Sequence, residues 1–260
     1  MPEIHPSAIV SERARLAEDV SVGPFSIIDA GVEIGPGSVI GAHAWITGSS
    51  KLGKNNTVGY GTIIGADPQD TSFEVETGSN VEIGDDNVIR EYVTIHRSAA
   101  EGASTSVGHS NFLMTGVHLA HDVQMGSHNV LANNVLVAGH VKMADHVFLG
   151  GGSAFHQFIH IGQYAIVQGN AVVSRDVPPY CMGHGRNELA GLNVIGLRRG
   201  GFTPEERADI KRAYQLLFRS GGNMSESLAE ADKSTWTDVA KHLLHSARHS
   251  SRKGMMSRSS

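Results

Sequence analysis

The sequence predicts a mainly β protein: a parallel β-helix of hexapeptide repeats, followed by a small C-terminal α-helical domain. Three observations indicate this fold class. Aliphatic residues recur at every sixth position through most of the stretch from Ile4 to Val173, glycine often follows them, and the pattern becomes helical after Phe202. A period of six fits neither a helix nor an alternating strand, and it is a signature of the parallel β-helix.

The repeat consists of two runs in different register. The first run begins at Ile4 and has eleven aliphatic positions at a spacing of six, the last being Ile64. The second run begins at Ile83 and ends at Val173, and fifteen of its sixteen positions are apolar. We therefore expect one aliphatic side chain per hexapeptide to fill the interior of a single solenoid.

The repeat is interrupted twice, by the polar stretches 66–80 and 97–106, and we expect both to leave the solenoid as loops. Loops on a rigid scaffold often carry function. After the repeat, Thr203, Pro204 and Glu206 form a capping box that should open a helix. The predicted organisation is a β-helix over 1–185, a connecting segment over 186–202, a helical domain over 203–250 and a disordered, basic tail over 251–260.

Composition limits the class of protein. The net charge of −5 argues against nucleic-acid binding. The single cysteine, Cys181, allows no internal disulfide, which fits a reducing compartment. No signal peptide and no run of about 18 apolar residues are visible. These features predict a cytoplasmic protein with no nucleic-acid partner and no integral membrane segment.

Histidines concentrate in one part of the repeat. In hexapeptide proteins, which this repeat resembles, three hexapeptides make one coil, so residues 18 apart stack. The hexapeptides that begin at Leu119, Val137 and Phe155 should then superpose. Within about 10 Å, this stacking would collect the following polar or small residues at one corner: His118, His121, Asp122, Gly139, His140, His156 and Gln157. Histidine moves protons near neutral pH and a carboxylate can orient its ring, although turn histidines can also be purely structural.

Several motifs carry a closer resemblance. They are "IREYVTIHR" (89–97), "HLAHD" (118–122), "VAGH" (137–140), "HQF" (156–158), "DVPPY" (176–180) and "GLRRGGF" (196–202). Together they resemble the bacterial acyl-[acyl-carrier-protein]–UDP-N-acetylglucosamine O-acyltransferases over nearly the whole chain. The resemblance implies a left-handed β-helix and a homotrimer with active sites between neighbouring subunits. It also implies transfer of a 3-hydroxyacyl chain from acyl carrier protein to the 3-position of UDP-N-acetylglucosamine, the first step of lipid A biosynthesis. No cofactor is implied beyond the carrier's phosphopantetheine.

The same resemblance assigns roles to individual residues. His121 would be the general base, Asp122 would support it, and the Gly139 N–H would receive the oxyanion. Substrate-binding residues would be Asp70, His118, His140, His156 and Gln157 at the sugar or nucleotide, and Asn193 and Arg199 near the diphosphate. Gln168 and Gly169 would set acyl-chain length. Basic residues of the first C-terminal helix, Arg207, Lys211 and Arg212, would contact the acidic carrier protein.

The sequence departs from the family pattern at three positions: Ser72 replaces a usual lysine, Ile195 a usual acidic residue and Gly200 a usual arginine. A 3-amino UDP-sugar therefore stays open as the acceptor. Two other enzymes share the repeat: an N-acyltransferase with an additional N-terminal domain, for which a repeat starting at Ile4 leaves no room, and a zinc enzyme of the γ-carbonic anhydrase type, which would use His118 and His121. A purely structural solenoid would not need a histidine-rich corner.

Overall fold

A computed structural model describes residues 1–257 of the chain, and short strands in this part stack into three parallel sheets that form a solenoid. The first sheet contains Glu3–Ile4, Ser21–Val22, Val39–Ile40, Thr57–Val58, Val88–Ile89, Phe112–Leu113, Val130–Leu131, Phe148–Leu149, Ile166–Val167, Cys181–His184 and Glu188–Leu192. The second contains Ile9–Val10, Ile27–Ile28, Trp45–Ile46, Ile63–Ala66, Thr94–His96, His118–Leu119, Leu136–Val137, Ala154–Phe155 and Val172–Val173. The third contains Arg15–Leu16, Glu33–Ile34, Lys51–Leu52, Asn80–Ile83, Ser104–Val107, Gln124–Met125, Lys142–Met143 and His160–Ile161.

The register of the sheets confirms the coil of three hexapeptides. Leu119 pairs with Val137, and Val137 pairs with Phe155, so one coil is a step of 18 in the sequence. Across the first loop Thr57 pairs with Val88, a step of 31, and the excess over a regular coil is the loop. Across the second loop Val88 pairs with Phe112, a step of 24. Neither interruption disturbs the register of the strands that follow it. The second loop ends where the strand Ser104–Val107 begins.

Each two-residue strand points its first side chain outward and its second into the solenoid. The inward aliphatic residues, among them Ile64, Leu119 and Val137, are fully buried and stack from coil to coil. Asn87, Asn111 and Asn129 form a buried ladder in which each side-chain oxygen accepts the N–H of the next coil, at 2.7 to 2.9 Å. The ladder satisfies backbone donors that the turns would otherwise leave unpaired inside the protein.

The outward side chains differ between the sheets. Those of the third sheet are polar or charged: Arg15, Glu33, Lys51, Glu82, Ser106, Gln124, Lys142 and His160. Large apolar side chains are instead exposed on the first sheet, including Val39, Val88, Phe148 and Met182, and on the second, including Ile9, Ile27, Trp45, Leu136 and Val172. Two sides of the solenoid are therefore apolar and one is polar.

The chain leaves the solenoid through an antiparallel hairpin at the end of the first sheet. Within residues 1–257, four helices follow: α1 (Val194–Arg199), α2 (Pro204–Arg219), α3 (Met224–Ala231) and α4 (Asp238–Arg248). Helix α2 begins with the predicted capping box, in which Thr203 and Glu206 exchange hydrogen bonds. Among the described residues, no helix is long and apolar enough to cross a membrane.

Residues 251–257 differ from the disordered tail predicted from the sequence. The buried carboxylate of Asp176 accepts hydrogen bonds from the hydroxyl of Ser251, at 2.6 Å, and from its N–H. Met256 is fully buried, and Met255 forms a bridge with Asp176. The prediction of disorder rested on the serine-rich composition. It did not take into account that Met255 and Met256 are apolar or that Asp176 offers a buried acceptor. Residues 258–260 of the predicted tail lie outside the described part of the chain.

Candidate active site

His121 and Asp122 occupy a turn between the second and third sheets. The Nδ1 atom of His121 lies 2.8 Å from Oδ2 of Asp122, a contact that adjacency in sequence did not establish. Asp122 has a φ of 60°, a left-handed conformation that aspartate tolerates better than most residues. The two side chains are only 14% and 12% exposed. A carboxylate that accepts from Nδ1–H leaves the lone pair of the ring on Nε2, where it can receive a proton.

Asp122 is held from the second loop as well. The Ser98 hydroxyl donates to Oδ1, and the Ala99 N–H donates to Oδ2 at 3.2 Å. Burial acts to raise the pKa of Asp122, but hydrogen bonds from Ser98, His121 and Ala99 outweigh it and leave that pKa below its usual value. The carboxylate is therefore charged at neutral pH and faces the imidazole.

Gly139 lies directly over the His121 ring, one coil further along. A Cβ at position 139 would be 2.7 Å from Cε1 and 2.8 Å from Nε2 of that ring, closer than real Cβ contacts come. With the His121 ring in this position only glycine fits here, and the backbone approaches the atom that would exchange the proton. His140 packs its ring edge to face with His121, at 5.1 Å between centroids, and its Nε2 lies 3.7 Å from Asp122.

His118 faces the same cleft from the preceding strand. Its Nδ1 lies 2.8 Å from the Thr94 hydroxyl, and its ring packs against His96. Burial, with a smaller contribution from the charge of His96, lowers the pKa of His118 to about 4. At neutral pH His118 is uncharged and holds a proton only weakly. It is therefore better suited to form hydrogen bonds with a ligand than to act as a general base.

Asp70 lies in the first loop, exposed to solvent. The Ser72 N–H and hydroxyl both donate to Oδ1 of Asp70, at 2.9 and 2.8 Å. These two bonds, together with the charges of His121 and His140, hold the pKa of Asp70 below its usual value. Ser72, at the position of the missing lysine, thus fixes one oxygen of this carboxylate.

Arg97 holds the first loop in place. Its guanidinium is nearly buried, donates from Nε to Asp67 at 2.9 Å and from Nη2 to the Val75 carbonyl at 2.8 Å, and lies 4.8 Å from the Phe73 ring centroid. A planar, always charged donor is needed for several acceptors at once. The sequence analysis had not assigned Arg97 this role.

We expect Arg97→Met to free the first loop while leaving the solenoid folded. Without the guanidinium the loop loses its ion pair and carbonyl contacts, so its local opening becomes more frequent. A glutamate-specific protease should then cut after Glu74 and Glu76 about tenfold faster, as followed by mass spectrometry. Arg90→Met, which removes an arginine that pairs with Glu91, should be cut at the wild-type rate. Equal rates for both variants and the wild type would contradict this assignment.

A cleft of about 820 Å³ runs across the second sheet from the histidine corner. Five of the residues predicted to bind substrate or act in catalysis line this cleft: His118, His121, Gly139, His156 and Gln157. Gln69 and Arg186 also line it, and sequence reasoning missed both. Arg186 follows the end of the repeat, where no periodicity could show that a bridge to Val172 returns it to the second sheet.

Asn193 and Arg199 lie elsewhere, in a cleft of about 840 Å³ beside the first sheet. Asn193 caps α1: it accepts from the Gly196 N–H and donates to the Tyr164 carbonyl, both at 2.9 Å. Gln168 and Gly169 occupy a turn between the first and second sheets, away from the histidine corner. One copy of the chain therefore does not bring all of the predicted site residues together.

The described residues include one group able to hold a metal ion, formed by His121, Asp122 and His140, whose ligand atoms lie within 4.8 Å of one another. The zinc alternative had instead paired His118 with His121. Since His121 and Asp122 are already joined by a hydrogen bond, a proton between the ring and the carboxylate also satisfies this geometry. A histidine oriented by a carboxylate is suited to act as a general base.

A hexapeptide solenoid with a histidine–aspartate pair in a surface cleft defines a hexapeptide-repeat transferase. A model of six bacterial transferase hexapeptides matches residues 13–48, and the model of domain 2 of UDP-N-acetylglucosamine O-acyltransferase matches residues 176–256. The chain is 42% identical over 249 residues to acyl-[acyl-carrier-protein]–UDP-N-acetylglucosamine O-acyltransferase of Herminiimonas arsenicoxydans, covering 94% of each chain. It belongs to the acyl-[acyl-carrier-protein]–UDP-N-acetylglucosamine O-acyltransferase family.

Other relatives agree. The enzyme of the same name from Thiobacillus denitrificans is 41% identical over 244 residues, which is 93% of each chain. Among solved structures, the UDP-N-acetylglucosamine acyltransferase of Francisella novicida superposes with a TM-score of 0.91 at 38% identity, covering 98% of this chain and 94% of that one. The acyltransferase of Campylobacter jejuni gives 0.92 at 31% identity, covering 99% and 100%.

Proposed function

We propose that the protein transfers a 3-hydroxyacyl chain from acyl carrier protein to the 3-position of UDP-N-acetylglucosamine, the first step of lipid A biosynthesis. The observation that carries this proposal is the His121–Asp122 pair, whose ring lies against the Gly139 backbone at one end of a long cleft. The names of the relatives indicate the substrates, and the geometry of the pair supports His121 as the base. A nucleotide sugar and an acyl carrier protein are cytoplasmic substrates, and we place the reaction there.

In this mechanism Nε2 of His121 takes the proton of the sugar 3-hydroxyl as its oxygen attacks the thioester carbon. The C–O bond forms, the thioester oxygen becomes an oxyanion, and the Gly139 N–H receives it. That N–H donates to no acceptor among the residues that the structure describes. The C–S bond then breaks, and His121 returns the proton to the phosphopantetheine thiolate. Asp122 keeps the ring oriented and stabilises its cationic form.

Purified protein, supplied with 3-hydroxyacyl carrier protein and UDP-N-acetylglucosamine, should form an acylated UDP-sugar detectable by mass spectrometry. A panel of acyl lengths run in parallel would test Gln168 and Gly169 as the residues that set chain length. The 3-amino analogue of the sugar belongs in the same panel, because an amine at that position presents a proton to the same base. If neither acceptor is acylated, the proposed reaction is wrong.

The carrier protein has a candidate docking site on α1 and α2. A groove of about 420 Å³ is lined there by four cations, Arg198, Arg207, Lys211 and Arg219. An acidic partner would be attracted to this surface. Arg212, one of the contacts expected from the sequence, instead pairs with Asp209 at 2.8 Å and stacks on Trp236 at 4.0 Å. It stabilises the packing of the helices and is a poorer candidate.

A homotrimer is the assembly that the two apolar sides favour. If the first sheet of each subunit faces the second sheet of the next, three copies close a ring, with the polar third sheet left in water. This arrangement would also bring a neighbour's Asn193 and Arg199, beside its first sheet, to the cleft that holds His121 on the second. It explains why one copy separates residues that the family resemblance assigns to one substrate.

We expect the protein to elute as a species of three 27.6 kDa chains in light scattering coupled to size exclusion. Val39→Glu places a charge on the apolar first sheet and should dissociate the trimer at micromolar concentration, because an unpaired charge is costly at a buried interface. Gln124→Glu adds the same charge to the third sheet and should leave the trimer intact. A monomeric wild type, or dissociation by Gln124→Glu, would argue against this packing.

A further inference from the structure

Ser98 lies in the second loop, next to the catalytic turn, and is fully buried. Its main chain is fixed from two sides: the N–H donates to the Asn80 carbonyl at 3.3 Å, and its own carbonyl accepts from the Ser79 hydroxyl at 2.5 Å. Its hydroxyl oxygen accepts the Ala100 N–H at 3.0 Å. The single hydroxyl hydrogen is therefore directed to the strongest acceptor nearby, the Asp122 carboxylate.

This contact has a geometric consequence for His121. The two oxygens of Asp122 are held by different groups: Oδ1 by Ser98, and Oδ2 by Ala99 and by the imidazole Nδ1. Rotation of the carboxylate about its Cβ–Cγ bond would break the Ser98 contact. Since the Ser98 side chain has no role in filling the solenoid, and its buried hydroxyl would be costly without a partner, the arrangement is matched to orienting this carboxylate.

We propose that Ser98 is a positioning residue for catalysis, which holds the Asp122 carboxylate against Nδ1 of His121 and so fixes the base. The inference rests on the proposed acyl transfer. The Ser98 hydroxyl contacts Asp122, and Ser98 acts on the ring through that carboxylate. Its neighbour Arg97 holds the first loop, so consecutive residues of one short segment fix two parts of the site: the loop with Asp70 and the catalytic carboxylate.

The pH dependence follows from the direction of the Asp122 shift. A donor to the charged carboxylate lowers the pKa of Asp122, so loss of that donor raises it. The titration curve of the Asp122 carboxyl should therefore move to higher pH when Ser98 is replaced by alanine. The other groups that face Asp122 or its partners are His121, His140 and Asp70, and all of them are retained when Ser98 is replaced.

The test compares Ser98→Ala with Ser98→Thr and Ser26→Ala. We expect Ser98→Ala to lower kcat about tenfold, with KM for both substrates within about twofold. Ser98→Thr keeps the hydroxyl and should restore kcat. Ser26→Ala removes another fully buried hydroxyl, which donates to the Gly41 carbonyl at 2.7 Å far along the chain from the site, and should behave as the wild type. Should Ser98→Ala fold poorly, Ser98→Cys, a weaker donor of similar shape, should give an intermediate kcat.

An unchanged kcat in Ser98→Ala would overturn the proposal, as would an equal loss of kcat in Ser26→Ala. A second measurement does not need activity: the Asp122 carboxyl, assigned with Asp122→Asn, is titrated by 13C NMR in the ligand-free protein. Its pKa should rise in Ser98→Ala, and an unchanged pKa overturns the inference. If wild-type protein transfers no acyl group but this pKa rises, the proposed function fails and the positioning contact stands.

Discussion

Replacing His121 with alanine should lower kcat by about 10²- to 10⁴-fold, the usual contribution of a positioned general base. The change removes the only ring that both contacts Asp122 at 2.8 Å and lies against the Gly139 backbone in the described part of the chain. Because the lost interaction acts on the reacting proton, KM for the nucleotide sugar should change little. Initial rates at saturating acyl carrier protein measure both constants.

The fold should survive this change, because His121 lies in a turn outside the solenoid interior. His43→Asn is a control: His43 is also a turn histidine, its ring stacks on Phe25 far along the chain from the site, and asparagine tolerates the positive φ of this position. This variant should retain wild-type activity, and both variants should unfold near the wild-type temperature. Full activity in His121→Ala would refute the assignment of the base.

Replacing Gly139 with alanine should be nearly as damaging, with kcat reduced by about 10²-fold or more. The backbone conformation at this position suits any residue, since its φ is not positive. Activity should fall because of a steric clash: the new methyl group would overlap the Cε1 and Nε2 atoms of His121. Either the ring moves away from its working position or the Gly139 N–H moves away from the oxyanion.

A double-mutant cycle separates this clash from a general defect. Overpacking should cost about 1–3 kcal/mol of unfolding free energy in Gly139→Ala. In a His121→Ala background the ring is gone, so the same substitution should cost much less unfolding free energy. Denaturant unfolding should therefore show a clear difference between the costs of Gly139→Ala in the two backgrounds. If Gly139→Ala costs the same in both backgrounds, the methyl group does not meet the ring and the explanation is wrong.

Much of the fold was predictable because the hexapeptide period is local and repeated. The stacking of His121, Gly139 and Gln157 follows from the step of 18, and the register confirms it. The hydrogen bond between His121 and Asp122 was not predictable, because it depends on side-chain rotamers at a turn. Ser98 was missed for a related reason: a loop outside the repeat has no period from which its position can be calculated.

The parts beyond the solenoid were harder. Asn193 and Arg199 were grouped with the histidines by resemblance, yet the hairpin after the last coil carries them beside another sheet. No local sequence pattern predicts beside which sheet of the solenoid the chain lies after the last coil. Residues 251–257 posed a similar difficulty, because their order depends on Asp176, which is distant in sequence from Ser251. Long-range partners of this kind leave no trace in composition or periodicity.

The steps of 18, 31 and 24 between paired strands also constrain how such a chain changes length during divergence. The second loop adds the length of one hexapeptide, but it leaves the solenoid instead of joining it. Had that length been wound into the coil, every later strand would have turned by one side, carrying the histidine corner away from the loops with Asp70 and Ser98. Insertions and deletions that preserve activity should therefore occur as loops or as whole coils.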